Sequence, residues 1–172
     1  MASNSGSSAT YETHTITVLV ENRPGVLARV SGLFARRGYN IESLTVSITD
    51  NPDVSRMTLV VGGDNDVLEQ ITKQLHKLVD VLKVFDYVDT PMLERELALV
   101  KVAAEPEKRT ELMQLIEIFR GKVIDVSDKT FVVELTGDGG KIDAFEQQME
   151  TFGIRELVRT GRIALMRGPR TV

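Results

Sequence analysis

The spacing of apolar positions changes period several times along the chain. Thr15–Val20 is β-branched and alternating, which predicts a strand. The turn "NRPG" follows at 22–25, with Asn22 placed as a helix N-cap and Pro24 suited to a first helical turn. Leu27, Val30, Leu33 and Phe34 then recur at helical spacing, and Gly38 is placed to end that helix. Ile41, Leu44, Val46 and Ile48 lead a second strand, "DNPD" at 50–53 a turn, and Met57–Val61 a third strand. Val67, Leu68, Ile71, Leu75 and Leu78 mark a second helix, and Val81–Val88 a fourth strand. The order is β-α-β-β-α-β, the split βαβ or ferredoxin-like unit.

Thr90 and Pro91 read as a boundary, after which the same order returns. Glu96–Ala103 is expected as a strand and Lys108–Phe119 as a helix. Lys122–Val126 and Thr130–Leu135 form a strand pair around "SDK", and Ile142–Phe152 a helix. Strand is expected again over Glu156–Arg159 and Arg162–Met166, with an interruption at Gly161. Laid over each other, Leu27, Val30 and Phe34 match Leu112, Leu115 and Phe119 at an offset of 85, and Leu68, Ile71, Leu75 and Leu78 match Ile142, Phe145, Met149 and Phe152 at 74. Both first helices run into Arg-Gly. The pattern implies an α+β chain of two tandem ferredoxin-like (βαββαβ) domains. The expected division is a disordered polar tail over 1–13, a first domain over 14–90 and a second over 91–168.

Composition narrows the chemistry. The chain has 172 residues, 42% of them hydrophobic and 27% charged, which suits a folded protein of one or two domains. A net charge of −4 argues against nucleic acid as the main partner, and "SRMTLVV" lacks the strand aromatics on which an RNA-binding sheet of this topology stacks bases. With no cysteine there is no thiolate nucleophile, disulfide or cysteine metal site. No apolar run reaches the roughly 18 residues a membrane span needs. The tail "MASNSGSSATYET" lacks the apolar core of a secretory signal.

Catalytic readings are weak. His14 and His76 are the only histidines and do not stand at a metal-ligand spacing. "GDGGK" at 137–141 has the wrong spacing for a phosphate-binding loop, and Ile142 stands where Ser or Thr would hold the metal, so it reads as a loop opening a helix. Ser31 and Ser43 show no partnered base. The five arginines 155, 159, 162, 167 and 170 could dock an acidic surface or simply lie in solvent.

Binding readings are stronger. A helix N-terminus has unpaired N–H groups and partial positive charge, so the "NRPGVL" turn can receive a carboxylate. Gly25 lets a ligand approach its backbone, and the Asn22 amide can donate to a carboxylate or accept from an ammonium. A plain capped turn is the simpler account of the same residues. In "RGYNIES", the second strand of the unit lies at a sheet edge and invites pairing. If two copies meet there, Asn40 and Ile41 of one can face the helix mouth of the other. Otherwise Tyr39 and Asn40 only finish the Gly38 turn.

Five stretches, "ENRPGVLARVSGLFARRGYNIESLTV", "DVSRMTLVVGGD", "LEQITKQLHKLVDVLKV", "ERELALVKV" and "EIFRGKVIDVS", together resemble the small regulatory subunit of acetohydroxyacid (acetolactate) synthase from about His14 to Gly168. The resemblance implies an N-terminal ACT domain, an amino-acid-sensing form of the ferredoxin-like unit. It implies a non-catalytic chain that activates a catalytic large subunit and mediates feedback inhibition by branched-chain amino acids, valine first, then leucine or isoleucine. Effector-binding residues carry over as Asn22, Gly25, Val26, Leu27, Asn40 and Ile41, in a pocket between two paired ACT domains of a homodimer. Thiamine diphosphate, Mg²⁺ and FAD would belong to the large subunit, with no cofactor, catalytic residue or metal in this chain. Such a chain is expected in the bacterial cytoplasm, or in the plastid of a photosynthetic eukaryote. A stand-alone ACT-type amino-acid sensor acting on another partner is the alternative.

Overall fold

A computed structural model describes residues 12–172. The chain divides into two compact units between Asp89 and Thr90. The tail expectation lies almost wholly outside the described residues and gives way at Thr13, where the first strand already begins.

The first unit runs β1 (Thr13–Glu21), α1 (Val26–Arg37), β2 (Ile41–Ile48), β3 (Val54–Gly62), α2 (Asn65–Leu75) and β4 (Val81–Asp86). Its antiparallel sheet has the order β2-β3-β1-β4, which puts β2 at one edge and β4 at the other. Alternation sets the core: Ile16, Val18 and Val20 of β1 and Met57, Leu59 and Val61 of β3 point to one face, where Val30 and Phe34 of α1 and Leu68, Ile71 and Leu75 of α2 cover them. α2 ends at Leu75 rather than running through Leu78, which still packs on the core from the following turn.

The second unit repeats the order with β5 (Met92–Ala103), a 3₁₀ turn at Pro106–Lys108, α3 (Arg109–Ile118), β6 (Lys122–Val126), β7 (Thr130–Gly137), α4 (Gly139–Glu150), β8 (Ile154–Arg159) and β9 (Ile163–Met166). The core joins Val100 and Val102, Leu112 and Ile116, Val133 and Leu135, and Ile142, Phe145 and Met149. The break at Gly161 separates β8 from β9. Both pair with the unusually long β5, β9 against Met92–Arg95 and β8 against Ala98–Val102.

The internal repeat holds at α2 and α4 down to the cap. Asp64 and Asp138 each accept from the backbone N–H three residues on, at Val67 and Lys141. At α1 and α3 the register differs from the sequence expectation. Gly38 closes α1 in the left-handed region, and the equivalent left-handed residue after α3 is Arg120, φ 55°, not the glycine of the second Arg-Gly. In both, the next N–H returns to a buried helical residue, Tyr39 to Phe34 and Gly121 to Ile116. The matching pairs are therefore 30 with 112, 34 with 116 and 38 with 120. The edge strands follow suit, since β2 bulges between Ile41 and Ser43 and β6 between Val123 and Asp125.

In the second unit the arginine run is partly structural. Arg159 pairs with Glu96 from β5 and with Asp143 and Glu146 from α4, tying helix to sheet. Burial alone would lower its basicity, but the hydrogen bonds it donates to Asp143 and Glu96, and their charges, more than offset this and hold it above the usual range. Arg162 pairs with Glu94.

Candidate functional site

The chain leaves β1 at Glu21 and reaches α1 through four exposed residues, Asn22 to Gly25. Asn22 is not the N-cap. Its backbone N–H donates to the Asp53 carbonyl at 2.8 Å. Its side-chain Nδ2 donates to the Pro52 carbonyl at 2.8 Å and its Oδ1 accepts from Ser55 Oγ at 3.1 Å. The amide thus bolts the turn to the β2–β3 hairpin and keeps one N–H and one lone pair over.

The residue at the cap is Gly25, with φ 85° and ψ −8° and no side chain to close the helix end. That conformation is why a glycine stands here. A second reason is steric: a Cβ would lie 3.2 Å from Nη1 of Arg29. Arg29, one turn up the helix, has its guanidinium beside the bare face of Gly25, and its Nε donates to Asp80 Oδ2 at 2.6 Å. The mouth therefore combines free backbone donors, the helix dipole and a nearby cation.

Val26 and Leu27 part company. Val26 is buried among β1 and β3 side chains, with 3% of its surface exposed, whereas Leu27 is 45% exposed. The periodicity placed Leu27 on the core face with Val30, Leu33 and Phe34; those three are buried, but in the first turn Val26, four residues before Val30, takes the inward place and Leu27 falls outside it. Leu27 is the apolar side chain at the mouth that a ligand can reach.

Asn40 is exposed just before β2, and Ile41 packs partly on the core. Tyr39 beside them stands edge-on to Phe34, ring centroids 6.4 Å apart, and its hydroxyl donates to Gln70. This pair sits beyond the C-terminal end of α1, while Asn22 to Leu27 sit at its N-terminal end. The 12 residues of α1 separate them by about 18 Å at 1.5 Å per residue. Within one chain the six candidates therefore form two clusters. Arg29, Asp80 and Ser55 were not found by sequence reasoning; "RPGVLAR" does place an arginine one turn after the glycine, but Asp80 is 51 residues on. Among the described residues no group of histidine and carboxylate side chains is placed to hold a metal ion, and no helix is long and apolar enough to cross a membrane.

A ferredoxin-like unit with a glycine-opened helix mouth and its second strand at the sheet edge, followed by a second unit of the same order, defines a two-domain protein of the ACT type. The family models agree in both halves: residues 16–83 match the ACT domain of acetohydroxyacid synthase small-subunit-like proteins, and residues 95–168 match the small subunit of acetolactate synthase. The probable acetolactate synthase small subunit of Archaeoglobus fulgidus is 56% identical over 90% of this chain and 97% of its own length. That of Methanothermobacter thermautotrophicus is 53% identical over 94% and 96%. The crystal structure of the acetolactate synthase small subunit from Thermotoga maritima superposes with a TM-score of 0.83 at 42% identity, covering 92% of this chain and 99% of that one. The chain belongs to the acetolactate synthase small-subunit family.

Proposed function

We propose that this chain is a non-catalytic regulatory subunit that activates a thiamine diphosphate-dependent large subunit and makes it sensitive to a branched-chain amino acid, valine first. The observation that carries the sensing role is the separation of Asn22–Leu27 from Asn40–Ile41 by the whole of α1. Two clusters with complementary chemistry, one holding free N–H groups and the other an amide and an aliphatic edge, become one pocket when a second copy pairs along β2. In that pocket the effector carboxylate takes the N–H groups at Gly25 and the field of Arg29. The amides of Asn22 and Asn40 hold its polar groups, and Leu27 and Ile41 meet its side chain. Val26 acts indirectly, from the core, by fixing where the mouth opens. Valine burial and a few charge-assisted hydrogen bonds, set against the cost of association, give a micromolar to millimolar sensor of about −4 to −8 kcal/mol.

Thiamine diphosphate, Mg²⁺ and FAD act on the large subunit in this reading. Effector binding stabilises one pairing of the two copies, and the large subunit responds to that pairing. Calorimetry of the full chain with valine, leucine and isoleucine, followed by reconstitution with the large subunit, tests it. Binding with one effector per copy and effector-dependent loss of activation are expected. Binding without any effect on the reconstituted enzyme would favour a stand-alone sensor.

A further inference from the structure

Arg29 faces Asp80 with one flank of its guanidinium and Gly25 with the other. Its Nε donates to Asp80 Oδ2 at 2.6 Å. Its Nη1 lies across the planar group from that bond, 3.2 Å from where a Cβ on Gly25 would stand. Among the described residues Asp80 is the one partner of this side chain, so the Nη donors are left over at the mouth of α1. Asp80 does not depend on Arg29 for its own place. Its carbonyl accepts from the Glu21 N–H at 2.9 Å, and around it Leu78 donates to the Leu75 carbonyl and Val81 to the Leu78 carbonyl. The carboxylate is thus a fixed post, 10% exposed, and the half-exposed arginine is held to it. An arginine loose in solvent spreads over many rotamers; a bond made beforehand removes that spread before a ligand arrives.

The second unit builds the same order of strand, turn and helix without these groups. Ala103 N–H donates to the Gly153 carbonyl at 2.9 Å, as Glu21 does to Asp80. The ladders agree there too, slipping between Lys101 and Val102 as they do between Leu19 and Val20. The counterpart of Asp80 is therefore Gly153, which carries no carboxylate. With 30 matched to 112 and 34 to 116, Gly25 and Arg29 correspond to Glu107 and Glu111, both exposed, while Pro24 keeps its counterpart in Pro106. A strut that the fold requires would recur in both units. Gly25, Arg29 and Asp80 are instead present together in one and absent together from the other, where two glutamates would repel a carboxylate.

We propose that Arg29 reads the effector's carboxylate through Nη1, and that Asp80 is a positioning residue that aims it by holding Nε. The inference rests on the amino-acid-sensing reading, and it adds which side chain recognises the carboxylate and what fixes its direction. A planar fork held on one flank presents its remaining donors in a set direction, which an ammonium on a flexible stem does not. An amino acid whose carboxylate is masked as an amide keeps its ammonium and side chain but loses the charge that Arg29 meets.

The test is calorimetry of the full-length chain with L-valine and L-valinamide, because the ratio of the two affinities isolates the carboxylate. The wild-type chain should prefer valine by about tenfold or more. Arg29→Gln should lower that preference by about tenfold, and Asp80→Ala by about threefold or more, since the released arginine no longer points at the mouth. Asp80→Asn keeps an acceptor for Nε and loses the competing charge, so it should retain the wild-type preference or exceed it. Tyrosine fluorescence in urea follows the folding of the first unit in parallel. A pair with only a structural role would shift that midpoint and weaken both ligands alike, leaving their ratio where it was. Equal affinities in the wild-type chain, or an unchanged ratio in Arg29→Gln, overturn the assignment of Arg29. An unchanged ratio in Asp80→Ala overturns the positioning role. So does a fall in Asp80→Asn to the level of Arg29→Gln, which can be read even if Asp80→Ala does not fold. A wild-type chain that binds neither valine, leucine nor isoleucine overturns the sensing reading itself, and this inference with it.

Discussion

Arg29 and Asp80 stand 51 residues apart in sequence and 2.6 Å apart in space, and this one ion pair ties the mouth of α1 to the turn before β4. Asp80 is the more committed partner, its side chain 10% exposed against 49% for Arg29. Removing the arginine strands a nearly buried carboxylate, whereas removing the carboxylate releases a side chain that water can still reach. Arg29→Ala should therefore cost about 1–2 kcal/mol, the exposed side of the guanidinium keeping the figure low. All three tyrosines, at 11, 39 and 87, precede the division at Asp89 and the chain has no tryptophan, so tyrosine fluorescence in urea reads the first unit alone. A midpoint unmoved by Arg29→Ala would show that the pair contributes nothing.

Gly25 offers a sharper separation of shape from charge. Gly25→Ala imposes a side chain at φ 85° and presses a Cβ toward Arg29, at a cost of about 1–2 kcal/mol. Gly25→Asp adds a carboxylate that would occupy the same cation and repel an incoming one. In the reconstituted enzyme, activation should survive both changes and effector inhibition should fall away in the aspartate variant. An aspartate variant with wild-type inhibition would remove the mouth of α1 from the effector site.

The twin caps predict a matched pair of losses. Asp64→Ala and Asp138→Ala each delete one side-chain acceptor for an otherwise unpaired N–H in the first turn of α2 and α4. Each should cost about 1 kcal/mol, and Asn at either position should restore most of it. Amide exchange at Val67 and Lys141, followed by NMR, should quicken in the corresponding variant only.

Glu69 supplies a pH test with a small expected effect. The hydrogen bond it accepts from Lys73, and then the lysine's charge, hold its carboxyl below the usual glutamate range although it is exposed. A depressed value in the folded state means that any stabilisation is present above the unfolded value and is lost as the pH falls through the folded one. Carbon-detected NMR titration should place Glu69 below the other exposed glutamates, and Lys73→Ala or high salt should bring it back. An unshifted Glu69 in the wild-type chain would mean that the pair does not persist in water.

The ladder of strands and helices was legible because burial on one face leaves a clean period, and both sheets follow it. What the period could not show was the phase at a helix start. Val26 and Leu27 are both apolar and adjacent, and only the left-handed turn at Gly25 decides which of them faces inward. For the same reason Asn22 reads as a cap by type but serves as a strut, because the groups it meets, Pro52 and Ser55, lie on a distant hairpin. The Arg-Gly repeat misled in another way. Arg120 takes a left-handed conformation that composition assigns to its glycine neighbour, held there by the N–H returns around Ile116. Long-range pairs such as Arg29 with Asp80 leave no local trace at all.

α1 acts as a fixed ruler. Its two ends hold unlike halves of the candidate recess, and no swing of side chains can close a gap of about 18 Å. On the proposed reading, a solitary molecule therefore has nothing to read with, and dilution should deafen the sensor before any residue is altered.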